Sequence, residues 1–345
     1  MMFRCGRGLK LLTLVVLIVL LYAATQQYLF ESFLRRRYIT FDDFPKAYSN
    51  ALKASTADNT PLEYDYNTFP PSTNASTLIP PTIHFIWFRD LYAHQLDRPD
   101  HPSHIPHEGS SAPQLCIEHN PSFTVNVWNA TAARKLLEDH YSWFLPTYDN
   151  YRYPIQRVDA FKYFVMYHYG GVYMDMDVAC RRSLIPLLQT PGWFPKAEPF
   201  GVNNDLFAAR QGHGIMQMMI ERLESRDWNL IFPYVTIFWS TGPQFASDMV
   251  RRWYSKGWAK RYNAGDSKQD SDADAFYTLP PEFYSEKYTF FGHSPGGTWH
   301  GEDVAVVLWL VDRPWVLLLL AAASTTPFMI VAMRMRRLRQ ETFKV

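Results

Sequence analysis

The chain has 345 residues, which is enough for one substantial domain with accessory segments. Its net charge of +1 excludes the basic excess expected of a nucleic-acid-binding domain. The hydrophobic content of 47% fits a large packed core, whereas charged residues make up only 19% of the sequence, below the usual quarter, which indicates that part of the chain lies in lipid.

The N-terminal segment predicts a membrane anchor followed by a stem. Residues 1–10 are basic and form a predicted cytoplasmic tail, and residues 11–24 are almost continuously apolar. A cleaved signal peptide is the alternative, but the residues that follow make a poor cleavage site and favour a retained anchor. Residues 25–80 are predicted to be the stem, because their second half is rich in Ser, Thr, Asn and Pro with little periodicity.

The folded domain is predicted to span residues 81–312 and to have an α/β fold. The predicted elements are, in chain order, a strand at 83–88, a strand at 123–128, helices at 130–145 and 156–169, a strand from Gly171, and a helix at 214–226. Strands interspersed with helices in this way are typical of an open α/β sheet. Within this domain, Cys116 and Cys180 either form a disulfide in an oxidising lumen or remain as buried thiols.

A second membrane span is predicted at residues 315–333, followed by a cytoplasmic tail at 334–345. The segment is about long enough to cross a bilayer, and a run of arginines follows it. A buried amphipathic helix is the alternative, but no polar face recurs at helical spacing. The basic run predicts cytoplasmic termini and a lumenal domain, which agrees with glycosylation sequons at Asn74 and Asn129.

Two carboxylates mark a candidate metal site. In the predicted strand from Gly171, side chains alternate, so Tyr173, Asp175 and Asp177 share one side. The carboxyl ends of strands are where α/β sheets bind ligands. Carboxylate oxygens suit Mg²⁺ or Mn²⁺, which would bridge them to a diphosphate. A solvated strand end is the alternative, although burial of this strand on both sides would leave two charges uncompensated.

The sequence around these carboxylates resembles a known family. The runs Arg157–Tyr163 and Tyr169–Asp177 resemble the signature of fungal sugar transferases that share a Gly-Gly-x-Tyr-x-Asp-x-Asp core. Further similar segments are Ile83–Trp87, Asn204–Phe207, Thr241–Pro243 and Gly297–Asp303. The resemblance implies a GT-A-like open mixed sheet with flanking helices, a nucleotide-sugar donor, and retention of anomeric configuration.

The resemblance also implies a metal centre. Asp175 and Asp177 match the family's metal-binding pair, and they are the predicted catalytic carboxylates together with Asp159. His300 matches a position that often supplies a further metal ligand, although a lone histidine is commonly structural. The implied cofactor is Mn²⁺, with Mg²⁺ as the alternative.

Four residues are predicted to bind the donor. Arg157 and Asp159 match residues that hold the donor's sugar and phosphates. A surface cation is the alternative for Arg157, and a helix-dipole contact or an ion pair with Lys162 is the alternative for Asp159. Asn204 either bonds sugar hydroxyls or caps the next element. Trp299 is expected to stack on a sugar face.

Membrane spans at both ends favour a lipid acceptor. Within the family, the inositol phosphorylceramide mannosyltransferases resemble this chain in that respect, which implies transfer of mannose from GDP-mannose to inositol phosphorylceramide in sphingolipid synthesis. Extension of protein-linked glycans is the alternative, and a non-catalytic membrane scaffold is the other. The resemblance further implies a Golgi membrane location, with the endoplasmic reticulum as alternative, and a membrane-embedded regulatory subunit. A protein nucleophile and same-face attack are both open.

Overall fold

The computed structural model describes residues 3–58, 77–88, 111–230, 232–255, 275–284, 290–293, 302–313 and 316. The chain divides into two compact units, Met1–Asn229 with Ile237–Gly296 and Leu230–Thr236 with Gly297–Val345. The predicted span at 315–333 falls outside the described residues apart from Val316. The predicted tail at 334–345 and the sequon at Asn74 lie outside them as well.

Helices and strands are interspersed along the described part of the chain. The helices are α1 (Phe3–Arg35), α2 (Lys46–Asp58), α3 (Ser111–His119), α4 (Ala130–His140), α5 (Leu145–Asn150), α6 (Pro154–Tyr169), α7 (Gly214–Leu223), α8 (Pro233–Ser240), α9 (Pro243–Ser255) and α10 (Glu302–Val311). The strands are β1 (Thr82–Ile86), β2 (Thr124–Trp128), β3 (Gly171–Met174), β4 (Val178–Cys180), β5 (Gly192–Pro195), β6 (Leu206–Ala209), β7 (Tyr277–Leu279) and β8 (Phe291–His293).

The strands of the first unit form a mixed sheet in the order β2-β1-β3-β6-β5-β7. β1 is parallel to β2 and β3, whereas β6 is antiparallel to β3 and β5, and β7 is parallel to β5. β4 and β8 form a separate antiparallel pair. The prediction of an α/β fold with a mixed sheet and flanking helices is therefore confirmed.

Side-chain alternation along the strands creates two hydrophobic clusters on opposite faces of the sheet. Tyr173 and Phe207 belong to the cluster that contains Phe161 of α6. Val172 and Leu206, their neighbours in sequence, belong to the other cluster, which α2, α3 and the β4–β8 pair cover. The central strands are consequently buried on both sides, as expected for strands covered by helices.

Two predicted elements are divided in the structure. β3 ends at Met174, one residue before the carboxylate pair, and the Val178 N–H donates to the Asp175 carbonyl (3.1 Å) to close a turn. The chain then enters the second sheet through β4. The predicted helix over 130–145 ends at His140, and α5 begins at Leu145 with a proline in its first turn, a position that suits proline.

Consecutive glycines connect α6 to β3 because other residues would not fit. Gly170 and Gly171 have φ of +67° and +106°. A Cβ on Gly170 would lie 2.4 Å from the Gln211 nitrogen, and one on Gly171 would lie 2.6 Å from the Thr82 carbonyl oxygen. The predicted end of the helix at Gly170 is confirmed, and the close approach at Gly171 lets β3 pair with β1.

The N-terminal helix is longer than the predicted anchor. α1 continues without interruption to Arg35, and α2 buries Tyr48 and Leu52 in the second cluster. Among the described residues, Leu14–Arg35 is the one helical stretch that is long and apolar enough to cross a membrane, with a mean hydropathy of 1.6. A signal sequence near the N-terminus would satisfy the same criteria. The division into tail, anchor, stem and domain stays a prediction.

Candidate active site

Helix α6 carries the central polar residues of the candidate site. Pro154 occupies its first turn, and the Gln156 side chain accepts a hydrogen bond from the Tyr153 N–H (3.0 Å), so the helix start is well capped. Asp159, Lys162 and Tyr163 are spaced to lie on one face of the helix. All three are buried against the sheet.

Asp159 and Lys162 form a buried ion pair. The Lys162 Nζ lies 2.7 Å from the Asp159 carboxylate and 3.8 Å from that of Asp175, and the Lys162 and Asp159 side chains are only 3% and 9% exposed. Burial alone would lower the pKa of Lys162, but the nearby Asp159 and Asp175 carboxylates outweigh it and raise this pKa. The ion pair named as an alternative for Asp159 is therefore present.

Hydrogen bonds connect this pair to two distant segments. The Asn204 Nδ2 donates to Asp159 (3.3 Å) and to the Tyr163 hydroxyl oxygen (3.0 Å). The Thr241 hydroxyl donates to Asp159 (3.2 Å), and the Tyr163 hydroxyl donates to the Thr241 carbonyl (2.8 Å). Three segments that resemble the fungal family thus meet at one buried network.

The predicted metal pair lies in the turn that follows β3. The Asp175 N–H donates to the carbonyl of Asp205 (2.7 Å), which brings the end of β3 beside the start of β6. The Tyr173 hydroxyl donates to the Asp175 carboxylate, and the Tyr284 hydroxyl donates to the Asp205 carboxylate. These bonds hold the Asp175 and Asp205 carboxylates in fixed orientations where β3 ends and β6 begins.

The pKa values of Asp175 and Asp205 are raised at this site. Burial, followed by the charge of Asp177, raises the pKa of Asp175 to about 6 even though Lys162 acts to lower it. Burial and the Asp175 charge raise the pKa of Asp205 to about 8. The Asp175 side chain is still 38% exposed and accessible to a ligand. A divalent cation would relieve this repulsion, and oxygen donors of this kind suit Mn²⁺ or Mg²⁺.

Within the described residues, no group of three or more His, Cys, Asp or Glu side chains is arranged to hold a metal ion. The predicted set consists of Asp175, Asp177 and His300, and His300 lies outside the described residues. Asp175 and Asp177 lie in the turn after β3, which we call the acidic turn. Their oxygen donors fit as part of a divalent-metal site. Metal binding by all three stays a prediction.

Of the four predicted donor ligands, the structure describes Arg157, Asp159 and Asn204. The Arg157 guanidinium donates to the carbonyls of Tyr148 and Asp149 (both 3.2 Å) at the end of α5. Trp299 lies outside the described residues. Asp159 and Asn204 are brought together as described above. No observation tests donor binding by these four residues.

Sequence reasoning did not assign Asp205, Tyr284, Tyr173, Thr241 or Lys162 to the site. Lys162 had a signal, since it lies three positions after Asp159 on α6. Asp205 and Thr241 had a weaker one, because both lie in segments that resemble the family. Tyr284 had none, since only the tertiary fold brings it to Asp205.

A disulfide between Cys116 and Cys180 joins α3 to β4, directly after the acidic turn, with a Cα–Cα distance of 4.5 Å. Of the two states left open by the sequence, a disulfide or two buried thiols, the structure has the disulfide. Disulfides of this kind persist in oxidising compartments, which agrees with a lumenal domain.

Comparison with known proteins identifies relatives of this chain. Residues 106–194 match the family described as "Glycosyltransferase sugar-binding region containing DXD motif". The chain is 31% identical to inositol phosphoceramide mannosyltransferase 3 of Schizosaccharomyces pombe over 245 residues, covering 70% of this chain and 61% of that protein. It is also 31% identical to a mannosyl phosphorylinositol ceramide synthase of Saccharomyces cerevisiae over 271 residues, covering 78% and 63%.

The chain therefore aligns with somewhat over half the length of these curated relatives. The structure is also similar to the PaToxG glycosyltransferase, with a TM-score of 0.31 and 18% identity over 54% of this chain and 74% of that one. That structural likeness is too weak to support an inference. The matched region includes the turn Asp175–Asp177, so residues 106–194 of this chain carry a glycosyltransferase sugar-binding region with a DXD motif.

Proposed function

We propose that the protein transfers mannose from GDP-mannose to inositol phosphorylceramide. The observation that carries this proposal is the 31% identity, over 70% of this chain, to a protein named as an inositol phosphoceramide mannosyltransferase. The polar network around the acidic turn supports a catalytic role and argues against a scaffold. Its carboxylates are held close together although this raises the pKa values of Asp175 and Asp205.

The proposed cofactor is Mn²⁺, with Mg²⁺ as the alternative. Asp175 and Asp177 would hold it, and His300 is the further predicted ligand. When bound, the metal neutralises charge on the diphosphate of the donor and its leaving group.

Tyr173 and Lys162 orient the carboxylates of the site and offset part of their negative charge, which would favour binding of an anionic donor. Tyr173 orients one carboxylate of the pair by its hydrogen bond. Lys162 offsets the charge of Asp159 and Asp175 and stacks its ammonium 4.9 Å from the Tyr173 ring centroid. Asn204 and Thr241 donate hydrogen bonds to Asp159, which in turn pairs with Lys162. Asp159 therefore has a positioning role in addition to its predicted contact with the donor.

The proposed reaction is substitution at the anomeric carbon of mannose, with GDP as the leaving group. Retention of configuration requires either a protein nucleophile or attack from the face that the leaving group departs. Both routes are compatible with the described residues, and no residue is assigned as a nucleophile. Donor binding by Arg157, Asn204 and Trp299 stays a prediction.

A lumenal GT-A-type domain held at a Golgi or endoplasmic reticulum membrane is part of the proposal. The disulfide and the apolar N-terminal helix support it. The second span at 315–333 and a membrane-embedded regulatory subunit complete it as predictions. A lipid acceptor keeps its headgroup near the bilayer, so membrane attachment would favour its capture.

The test is full-length purified protein in vesicles that contain inositol phosphorylceramide, offered GDP-mannose, UDP-galactose and UDP-glucose side by side with Mn²⁺. We expect a mannosylated lipid with GDP-mannose alone, and none with a variant carrying Asp175→Asn. Transfer to a protein-linked glycan in place of the lipid would support the alternative acceptor. Neither transfer nor donor hydrolysis with any sugar nucleotide would support the scaffold.

A further inference from the structure

The second half of α1 is built into the catalytic unit. Phe30 and Leu34 are buried in the same hydrophobic cluster as α6, and the Phe33 ring lies 4.1 Å from that of Tyr254 on α9. The first unit therefore includes the end of the N-terminal helix as part of its core.

A buried ion pair lies at the centre of this junction. The Glu31 carboxylate is 3.0 Å from the Lys196 Nζ, and both side chains are less than a tenth exposed, at 9% and 7%. Glu31 also accepts hydrogen bonds from the Gly201 N–H (2.8 Å) and the Gln27 amide (2.8 Å). A buried charge with several partners has one favourable position, so Glu31 fixes the helix relative to the loop after β5.

Four more contacts hold the end of α1 against the catalytic unit. Arg251 on α9 donates to the Gln27 side chain (2.6 Å) and lies 4.6 Å from the Phe30 ring centroid. Just after the helix, the Thr278 N–H donates to the Arg37 carbonyl (2.9 Å) and the Ile39 N–H donates to the Thr278 carbonyl (3.0 Å). The chain that leaves α1 thereby pairs with β7 at the edge of the sheet.

The other end of the same helix is apolar and exposed. Leu14–Tyr22 are exposed hydrophobic residues, and Tyr28 (70%) and Leu29 (52%) continue the exposed surface towards Glu31. With a rise of 1.5 Å per residue, Glu31 lies only about 10 Å beyond the end of the apolar run at Ala24. Phe200, which is 61% exposed, adjoins the Gly201 that binds Glu31.

We infer that α1 seats the catalytic unit directly on the lipid bilayer. Tyr28, Leu29 and Phe200 lie in the headgroup layer, and Glu31 is the positioning residue that fixes the height of the active site above it. Tyrosine favours this layer because its ring is apolar and its hydroxyl is polar, and Leu29 and Phe200 would bury exposed apolar surface there. Gly201 lies close in sequence to Asn204, so the same loop connects the membrane contact to the active-site network. This seating depends on the membrane location in the proposed function.

Depth-dependent quenching tests the seating without any transferase assay. A fluorophore is attached to Phe200→Cys in full-length protein carrying Cys5→Ser, since the other two cysteines form the disulfide. The matched control carries the label at Lys135→Cys, which is 64% exposed on α4, the helix that follows β2, and β2 lies at the opposite end of the strand order from β7. Phosphatidylcholine vesicles with headgroup-level nitroxide lipids should quench the label at position 200 strongly and the control label weakly. Equal quenching of the two labels would overturn the inference while leaving the proposed reaction untouched.

Two further variants test the positioning role. Glu31→Ala removes the junction, and a flexible Gly-Ser insertion after Ala24 leaves the junction intact but frees the unit from the anchor. Both should reduce transfer to vesicle-embedded inositol phosphorylceramide by at least about ten-fold, because a small misplacement of reacting groups has effects of this size. Hydrolysis of GDP-mannose in detergent should stay within about two-fold of the wild-type rate. An unchanged lipid rate in the insertion variant would refute a fixed seat, and an equal loss of both rates would refute positioning. If wild-type protein hydrolyses no donor, the proposed function fails, and the quenching result still decides the seating.

Discussion

Replacement of Lys162 by methionine should destabilise the protein strongly. Methionine keeps most of the side-chain stem but removes the ammonium that lies 2.7 Å from Asp159, whose side chain is 9% exposed. Removal of one partner of a buried ion pair leaves the other charge uncompensated and costs about 3–5 kcal/mol. For a domain of this size, that loss corresponds to a fall in Tm of roughly 6–20 °C.

The matched control is the double variant Lys162→Met with Asp159→Asn. It removes both charges and keeps an amide that can still bond Asn204 and Thr241, so it should recover a substantial part of the lost stability. Thermal unfolding of full-length protein in detergent at neutral pH, with metal chelated, measures both variants. A single variant within about 1 kcal/mol of wild type, or a double variant no more stable than the single, would show that the pair is not the site's main support.

Three other predictions concern the acidic turn and its surroundings. Asp175→Asn and Asp177→Asn should each abolish sugar transfer without lowering Tm in metal-free buffer, since each removes a repelling charge; near wild-type turnover with Mn²⁺ would contradict the metal assignment. Because the pKa values of Asp175 and Asp205 are raised from 3.8 to about 6 and about 8, these groups bind protons more tightly in the folded state. In the absence of metal, the free energy of unfolding should therefore fall as pH rises from about 4 to about 8, and a Tm that rises over this range would refute the reasoning. Reduction of the Cys116–Cys180 disulfide should cost about 2–4 kcal/mol in thermal unfolding, and Cys180→Ser should remove the sensitivity to reductant.

The strongest local signals predicted the framework correctly. β1, β2 and α6 follow directly from an apolar run, an alternating run and a helical run closed by Gly170. The end of β3 was not predictable in this way. Val172, Met174, Met176 and Val178 are all buried in one cluster, so the hydrophobic alternation continues through a turn that interrupts the strand.

Local patterns predicted the site only where its residues are neighbours in sequence, and Asn204 came from the family resemblance. Asp175 and Asp177 form a local motif, and Asp159 with Lys162 has helical spacing. The contact of Tyr284 with Asp205 depends on the folding of a distant segment, which no local pattern encodes. The disulfide was left open for a similar reason, because its cysteines are 64 positions apart.

The antiparallel pairing of β3 with β6 has a consequence for synthesis of the chain. Met174 pairs with Leu206, so the Asp175 carboxylate acquires its neighbour Asp205 only when the two strands align. A nascent chain that has emerged as far as Asp177 carries the whole DXD motif but lacks Asn204, Asp205 and Thr241. Contacts so far apart in sequence form late and slowly compared with helical ones. The buried polar network at the end of β3 is thus complete only when folding is complete, and a prematurely terminated chain would carry the DXD motif without the contacts that orient it.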